Sequence, residues 1–139
     1  MYQNHLIVLS KDERFHARLP PGDVRARRRN PACGDEIAVA FDLVDGQVRR
    51  LRCEVRACAV VRASLTALGN AVEGQALETI RQRLREGRAF FEGESLWAAD
   101  WGHPDLPALG EVRAFPMRVA CARLPWLALE DALKTVPPN

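Results

Sequence analysis

The sequence predicts an α+β fold, with two or three strands of a small antiparallel sheet followed along the chain by helices. Three observations carry that expectation. Ile37, Val39, Phe41 and Leu43 alternate with Glu36, Ala38, Ala40 and Asp42, the period of a half-buried strand. Asp45-Gly46 then supplies hairpin turn chemistry, which returns the chain antiparallel. From Cys58 onward the apolar spacing becomes helical and stays so for most of the remaining chain.

Taken in order, residues 1–12 read either as a first helix or as a short strand. Glu13 to Asn30 is polar, basic and punctuated by Pro20-Pro21-Gly22-Asp23, a turn signal. The first clear strand follows, and its partner runs from about Gln47 to Arg56, with Leu51, Cys53 and Val55 on one face and Arg50, Arg52, Glu54 and Arg56 on the other. Cys53 therefore packs as a small hydrophobe. Ala59 to Val72 is predicted helical, as is Gln75 to Glu86, where Leu77, Ile80 and Leu84 form a stripe and Gly87 reads as a stop. Residues 88–111 hold Phe90, Phe91, Trp97 and Trp101 among turn formers and predict a packed loop or short helix. The last helix runs from Pro116 to about Lys134, with a kink or restart expected at Pro125, which has no N–H to donate to the Cys121 carbonyl.

The 139 residues are most simply one domain, 1–139, long enough to bury roughly two-thirds of the surface that the unfolded chain exposes. A hydrophobic content of 47% with 27% charged residues is that of an ordinary globular protein. No apolar run approaches the ~20 residues of a membrane span. The patch Leu6-Ile7-Val8-Leu9 lacks a basic leader and a cleavage site, which predicts a cytoplasmic protein without a signal peptide. The net charge is only +2, and the cluster Arg25-Ala26-Arg27-Arg28-Arg29 has no interleaved aromatics. An arginine-rich nucleic-acid-binding module with structural zinc is thus the weakest of the readings.

Four cysteines in a reducing compartment point to metal or sulfur chemistry rather than disulfides. In Asn30-Pro31-Ala32-Cys33-Gly34-Asp35-Glu36 a thiol and a carboxylate stand two residues apart, and Gly34 lets both turn toward one ion. Cys58 falls at a helix start, where partial positive charge favours thiolate. Cys121 lies on the last helix, one turn before Pro125. Three thiolates and a carboxylate suffice to close a tetrahedral zinc site or to hold an iron–sulfur cluster. Singly, each cysteine is as readily explained by a turn or a core position. His5, His16 and His103 are isolated and fit surface or local hydrogen-bonding roles.

Together the three segments resemble the IscU/SufU/NifU N-terminal family of iron–sulfur cluster assembly scaffolds. The match runs through Asn30, Pro31, Cys33, Gly34 and Asp35, then Cys58, Ala63 and Ser64, then Phe115, Pro116, Arg118, Cys121, Ala122, Leu124, Trp126 and Leu129. The long stretch between Cys58 and Cys121 is similar to the SufU branch, and Ala120 stands where the IscU branch has histidine. The resemblance implies a two- or three-stranded sheet against four to five helices. It also implies a Cys33, Asp35, Cys58 and Cys121 site for Zn²⁺ or a transient [2Fe–2S] cluster, with Cys121 and Cys33 as sulfur acceptors. Arg118 would meet a cysteine desulfurase or pair with Asp35 when the metal shell rearranges, and iron–sulfur apo-proteins would receive the product. The implied protein is a scaffold rather than an enzyme, with a zinc-dependent sulfurtransferase as its enzymatic form. Val55-Arg56-Ala57-Cys58 departs from the family's Gly-x-Gly-Cys, and Val61 replaces a serine. These departures predict a stiffer approach to Cys58 and raise the alternative of a diverged zinc-binding module without scaffold activity.

Overall fold

The computed structural model describes residues 2–93 and 105–137. Helix α1 (Tyr2–Lys11) leads through a 3₁₀ turn (Pro21–Asp23) into strands β1 (Ala26–Asn30), β2 (Asp35–Val44) and β3 (Gln47–Arg56). Helices α2 (Ala59–Val72), α3 (Leu77–Phe91), the single turn α4 (Asp105–Ala108), a 3₁₀ segment (Leu109–Ala114) and α5 (Pro116–Leu133) follow. The predicted α+β architecture is the observed one, and α1 resolves the ambiguity of the first twelve residues in favour of helix. Trp97, Trp101 and His103 lie outside the described residues. No helix among the described residues is long and apolar enough to cross a membrane.

The sheet is antiparallel in the order β1-β2-β3. Asp45 and Gly46 both take positive φ, 52° and 75°, as a two-residue turn matched to strand twist requires. Ile37, Val39 and Phe41 face the helices, and Leu51 and Cys53 join them in the main core with Leu65, Leu68 and Val72 of α2 and Leu129 of α5. The alternating pattern in β2 predicted one wet face, but Ala38 and Ala40 are also buried, beneath Leu19 and Val24 of the segment before β1. Small side chains on that face let the segment lie close.

Strand β1 is the element the sequence concealed. Its residues, Ala26-Arg27-Arg28-Arg29-Asn30, show no apolar alternation, yet Arg29 pairs with Glu36 and Asn30 with Asp35 in register. Part of the arginine cluster is engaged within the fold. Arg28 binds Asp131 of α5 at 2.7 Å, and the guanidinium of Arg25 stacks 4.3 Å above the Phe41 ring.

Two helix ends differ from expectation. Helix α3 runs through Gly87 because that glycine is a contact surface: an added Cβ would lie 2.6 Å from two ring atoms of the buried Trp126. Gly87→Ala is therefore expected to lower the urea-unfolding midpoint. Overpacking costs about 1–3 kcal/mol, which outweighs the ~1 kcal/mol that alanine gains in helix propensity. Gly22→Ala, with no atom within 4 Å of the new methyl, is the control expected to change nothing. Helix α5 continues unbroken through Pro125. Around it, Ser64 of α2 donates to the Ala122 carbonyl at 2.6 Å and receives the Trp126 indole N–H at 3.0 Å. These bonds clamp α5 to α2 on both sides of the missing N–H, so the helix does not restart.

Candidate metal centre

The site gathers at one end of the sheet, where the β1–β2 turn, the start of α2 and the first half of α5 meet. The turn builds itself. The Asn30 carbonyl accepts from the N–H groups of Cys33 and Gly34 at 3.3 and 2.8 Å, and the Asn30 side-chain oxygen accepts from Ala32 at 3.1 Å. Gly34 sits at φ +75°, a conformation that reverses the chain between Cys33 and Asp35. As a result the Cys33 thiol donates to Asp35 Oδ2 at 3.0 Å.

Asp35 is only 7% exposed, and its second oxygen accepts from the Cys58 backbone N–H at 3.1 Å. Thus one carboxylate joins the turn to the start of α2. No arginine or lysine pairs with it among the described residues. Cys58 is the N-cap of α2, with φ −68° and ψ 169°, and its thiol is exposed. None of Val55, Arg56 and Ala57 takes the positive φ that would call for glycine, so the approach to Cys58 carries no such strain.

Cys121 comes from α5. Its Sγ lies 4.0 Å from that of Cys33 and 3.9 Å from the Asn30 side-chain nitrogen, which donates to it. One ligand atom from each of Cys33, Asp35 and Cys121 falls within 4.8 Å of the others. Cys58 is outside that closest trio, but its thiol lies near enough to Cys121 to act on it. Burial first, then the charges and hydrogen bonds of Cys58 and Cys33, push the Cys121 thiol up to about 12. Thiols crowded without a cation resist ionisation in this way, and a divalent cation removes that resistance.

The remaining candidates are placed elsewhere. Cys53 is buried in the core, where loss of water pushes its thiol up to about 12. It therefore stays protonated and shielded at neutral pH. In metal-free protein, iodoacetamide is expected to alkylate Cys33 and Cys58 while Cys53 reacts only after unfolding, as peptide mass mapping would show. Alkylation of Cys53 at the rate of Cys33 would contradict its burial. His5 Nε2 is held 2.8 Å from Asp105 Oδ1, and His16 is half-buried with its basicity lowered by loss of water and by Arg62. The guanidinium of Arg118 stacks 4.7 Å above the Phe115 ring rather than against Asp35. Sequence reasoning missed two contributions. The Cys58 backbone N–H orients Asp35 through a main-chain contact that no side-chain pattern encodes. Phe115 and Met117 stand 51% and 71% exposed at the start of α5, a surface that the apolar stripe of the helix did not announce.

No family model matches the chain. The chain is 26% identical over 137 residues to the iron–sulfur cluster assembly scaffold protein IscU of Thermotoga maritima, covering 98% of this chain and 94% of that one. It is 32% identical over 105 residues to the zinc-dependent sulfurtransferase SufU of Bacillus subtilis, covering 75% and 70%. Among solved structures, SufU of Fervidobacterium islandicum AW-1 superimposes with a TM-score of 0.82 at 25% identity over 93% of both chains. The N-terminal NifU-like protein of Brucella abortus has the same fold, with a TM-score of 0.82 at 21% identity over 97% and 93%.

Proposed function

The chain belongs to the IscU/SufU family of iron–sulfur cluster assembly proteins, and from that membership we propose that it holds metal through Cys33, Asp35, Cys58 and Cys121 and accepts sulfur from a cysteine desulfurase. The observation that carries this reading is the convergence of Cys33, Asp35 and Cys121 from separate elements, with Asp35 bonded to the Cys58 amide. The donor set fits Zn²⁺, being three soft thiols and one harder carboxylate gathered without a counter-cation. When bound, zinc keeps such thiols ionised at neutral pH.

The chain's own residues supply the rest. Asp35 accepts a hydrogen bond from the Cys33 thiol and holds the start of α2 against the turn. Cys121, as thiolate, attacks the outer sulfur of the desulfurase persulfide. A new S–S bond forms on Cys121, the donor's S–S bond breaks, and the desulfurase cysteine leaves as thiolate while the proton stays on the transferred sulfur. The 4.0 Å separation of the Cys121 and Cys33 sulfurs suits a second exchange of the same kind, passing the outer sulfur to Cys33. A transient [2Fe–2S] cluster is cargo built on the same donors, for delivery to apo-proteins in the cytoplasm.

Anaerobic incubation with iron, cysteine and a desulfurase separates the two forms of this function. Visible charge-transfer bands identify a scaffold. A persulfide mass on Cys121 without colour identifies a sulfur relay. Neither outcome, with the desulfurase active on its own, would leave only a diverged zinc-binding module.

A further inference from the structure

At the far end of α5 from the thiols lies a cavity of about 490 Å³ between α3 and the chain after α5. Cys121 and Leu133 are twelve residues apart on that helix, or ~18 Å at 1.5 Å per residue, so the cavity is separate from the metal centre. Its apolar lining is Leu84, Leu133 and Val136, all recessed below the surface. Its rim is cationic: Arg81, Arg85, Arg88 and Lys134 surround it, against the single carboxylate of Glu130.

Those charges are not all committed within the chain. Arg88 is tied to Glu130, which neutralises the one acidic group on the rim. Arg85 reaches Glu78 only at 3.9 Å, between two largely exposed side chains. Lys134 lies 3.7 Å from Asp131, a carboxylate already engaged 2.7 Å from Arg28. Arg81 has no ion pair among the described residues. Exposed pairs of this kind contribute little and exchange readily for a better anion. Arginines spaced along one helix face present planar donors suited to carboxylate or phosphate.

We propose that this cavity binds a small amphiphilic anion, with its aliphatic body over Leu84, Leu133 and Val136 and its carboxylate or phosphate head between Arg81 and Arg85. The volume falls within the roughly 300–1,000 Å³ of small-ligand sites. A protein partner fits less well. Among the described residues the exposed large apolar side chains, Ile7, Val8, Val44, Phe115 and Met117, all lie outside this rim, and the small adjoining recess beside Leu127 is closed off by Arg88, Arg123 and Glu130, which leaves a partner little exposed apolar surface to cover.

The test uses the full ¹⁵N-labelled chain with its metal content as isolated, titrated with decanoate and decyl phosphate below their micellar concentrations and with decan-1-ol as the neutral counterpart. Saturable amide shifts confined to residues 81–88 and 130–136, stronger for the anions than for the alcohol, are expected. Arg81→Glu combined with Arg85→Glu should weaken binding of the anions by roughly tenfold or more. Arg81→Gln with Arg85→Gln gives a milder loss and serves should the reversed charges disturb folding. Absence of saturable shifts, equal affinity for decan-1-ol, or undiminished binding by both variants would overturn the proposal. Association only with phosphatidylglycerol vesicles, and not with the monomeric anions, would overturn it too.

Discussion

Protein carrying Cys121→Ser is expected to lose both its bound metal and its capacity to accept sulfur. Serine preserves the shape of the side chain but not its chemistry, because a hydroxyl neither ionises near neutral pH nor offers a soft donor. Cys121 is the residue in closest exchange with the others: 4.0 Å from the Cys33 sulfur, held by the Asn30 side chain, and electrostatically responsive to Cys58. Loss of an outer partner of a metal site costs ~10–100-fold in affinity, and loss of a ligand should cost more. Zinc titration and intact-mass detection of the persulfide, done on the same preparation, measure both effects. Retention of metal with loss of sulfur acceptance would restrict Cys121 to the acceptor role. The fold should survive, since Cys121 is only partly buried and its helix is clamped through Ser64, Ala122 and Trp126.

Asp35→Ala should separate what Cys121→Ser combines. Three thiolates remain, and three protein ligands with a water still make a competent zinc site, so metal should be retained. Sulfur acceptance should fall by roughly 10–100-fold, the scale on which groups that orient metal-site residues act. The group removed is the one that accepts from the Cys33 thiol at 3.0 Å and from the Cys58 N–H at 3.1 Å. It is also the harder and more exchangeable donor of the four. Metal content and the rate of persulfide appearance check the two halves separately. An unchanged rate would mean that Asp35 only braces the turn.

The pairing of Cys33 with Asp35 was legible in the sequence because its chemistry is local. The Asn30–Glu36 stretch declares a turn with a thiol and a carboxylate, and the structure places Cys33 and Asp35 in direct contact. The β2–β3 hairpin was legible through alternation and Asp45-Gly46, and α2 through its helical spacing. What stayed hidden depended on neighbours. Strand β1 is held by its register with β2 and by Arg28–Asp131, neither of which leaves an apolar pattern in an arginine run. Gly87 reads as a helix stop until Trp126 is seen lying on it. Pro125 reads as a break until the Ser64 clamp is in view. Missing glycines before Cys58 suggested a stiffened approach, but none of Val55, Arg56 and Ala57 takes the positive φ that would call for glycine. For β1, Gly87 and Pro125 a tertiary contact decided between two locally reasonable outcomes.

The central claim is that Cys33, Asp35, Cys58 and Cys121 form one metal centre. Elemental analysis of freshly isolated protein, wild type beside Cys33→Ser, tests it most directly. One zinc or iron equivalent per chain in the wild type, falling to near zero in Cys33→Ser with the fold intact by circular dichroism, is the predicted result. A metal-free wild type, or a Cys33→Ser protein that keeps its full complement, would contradict it.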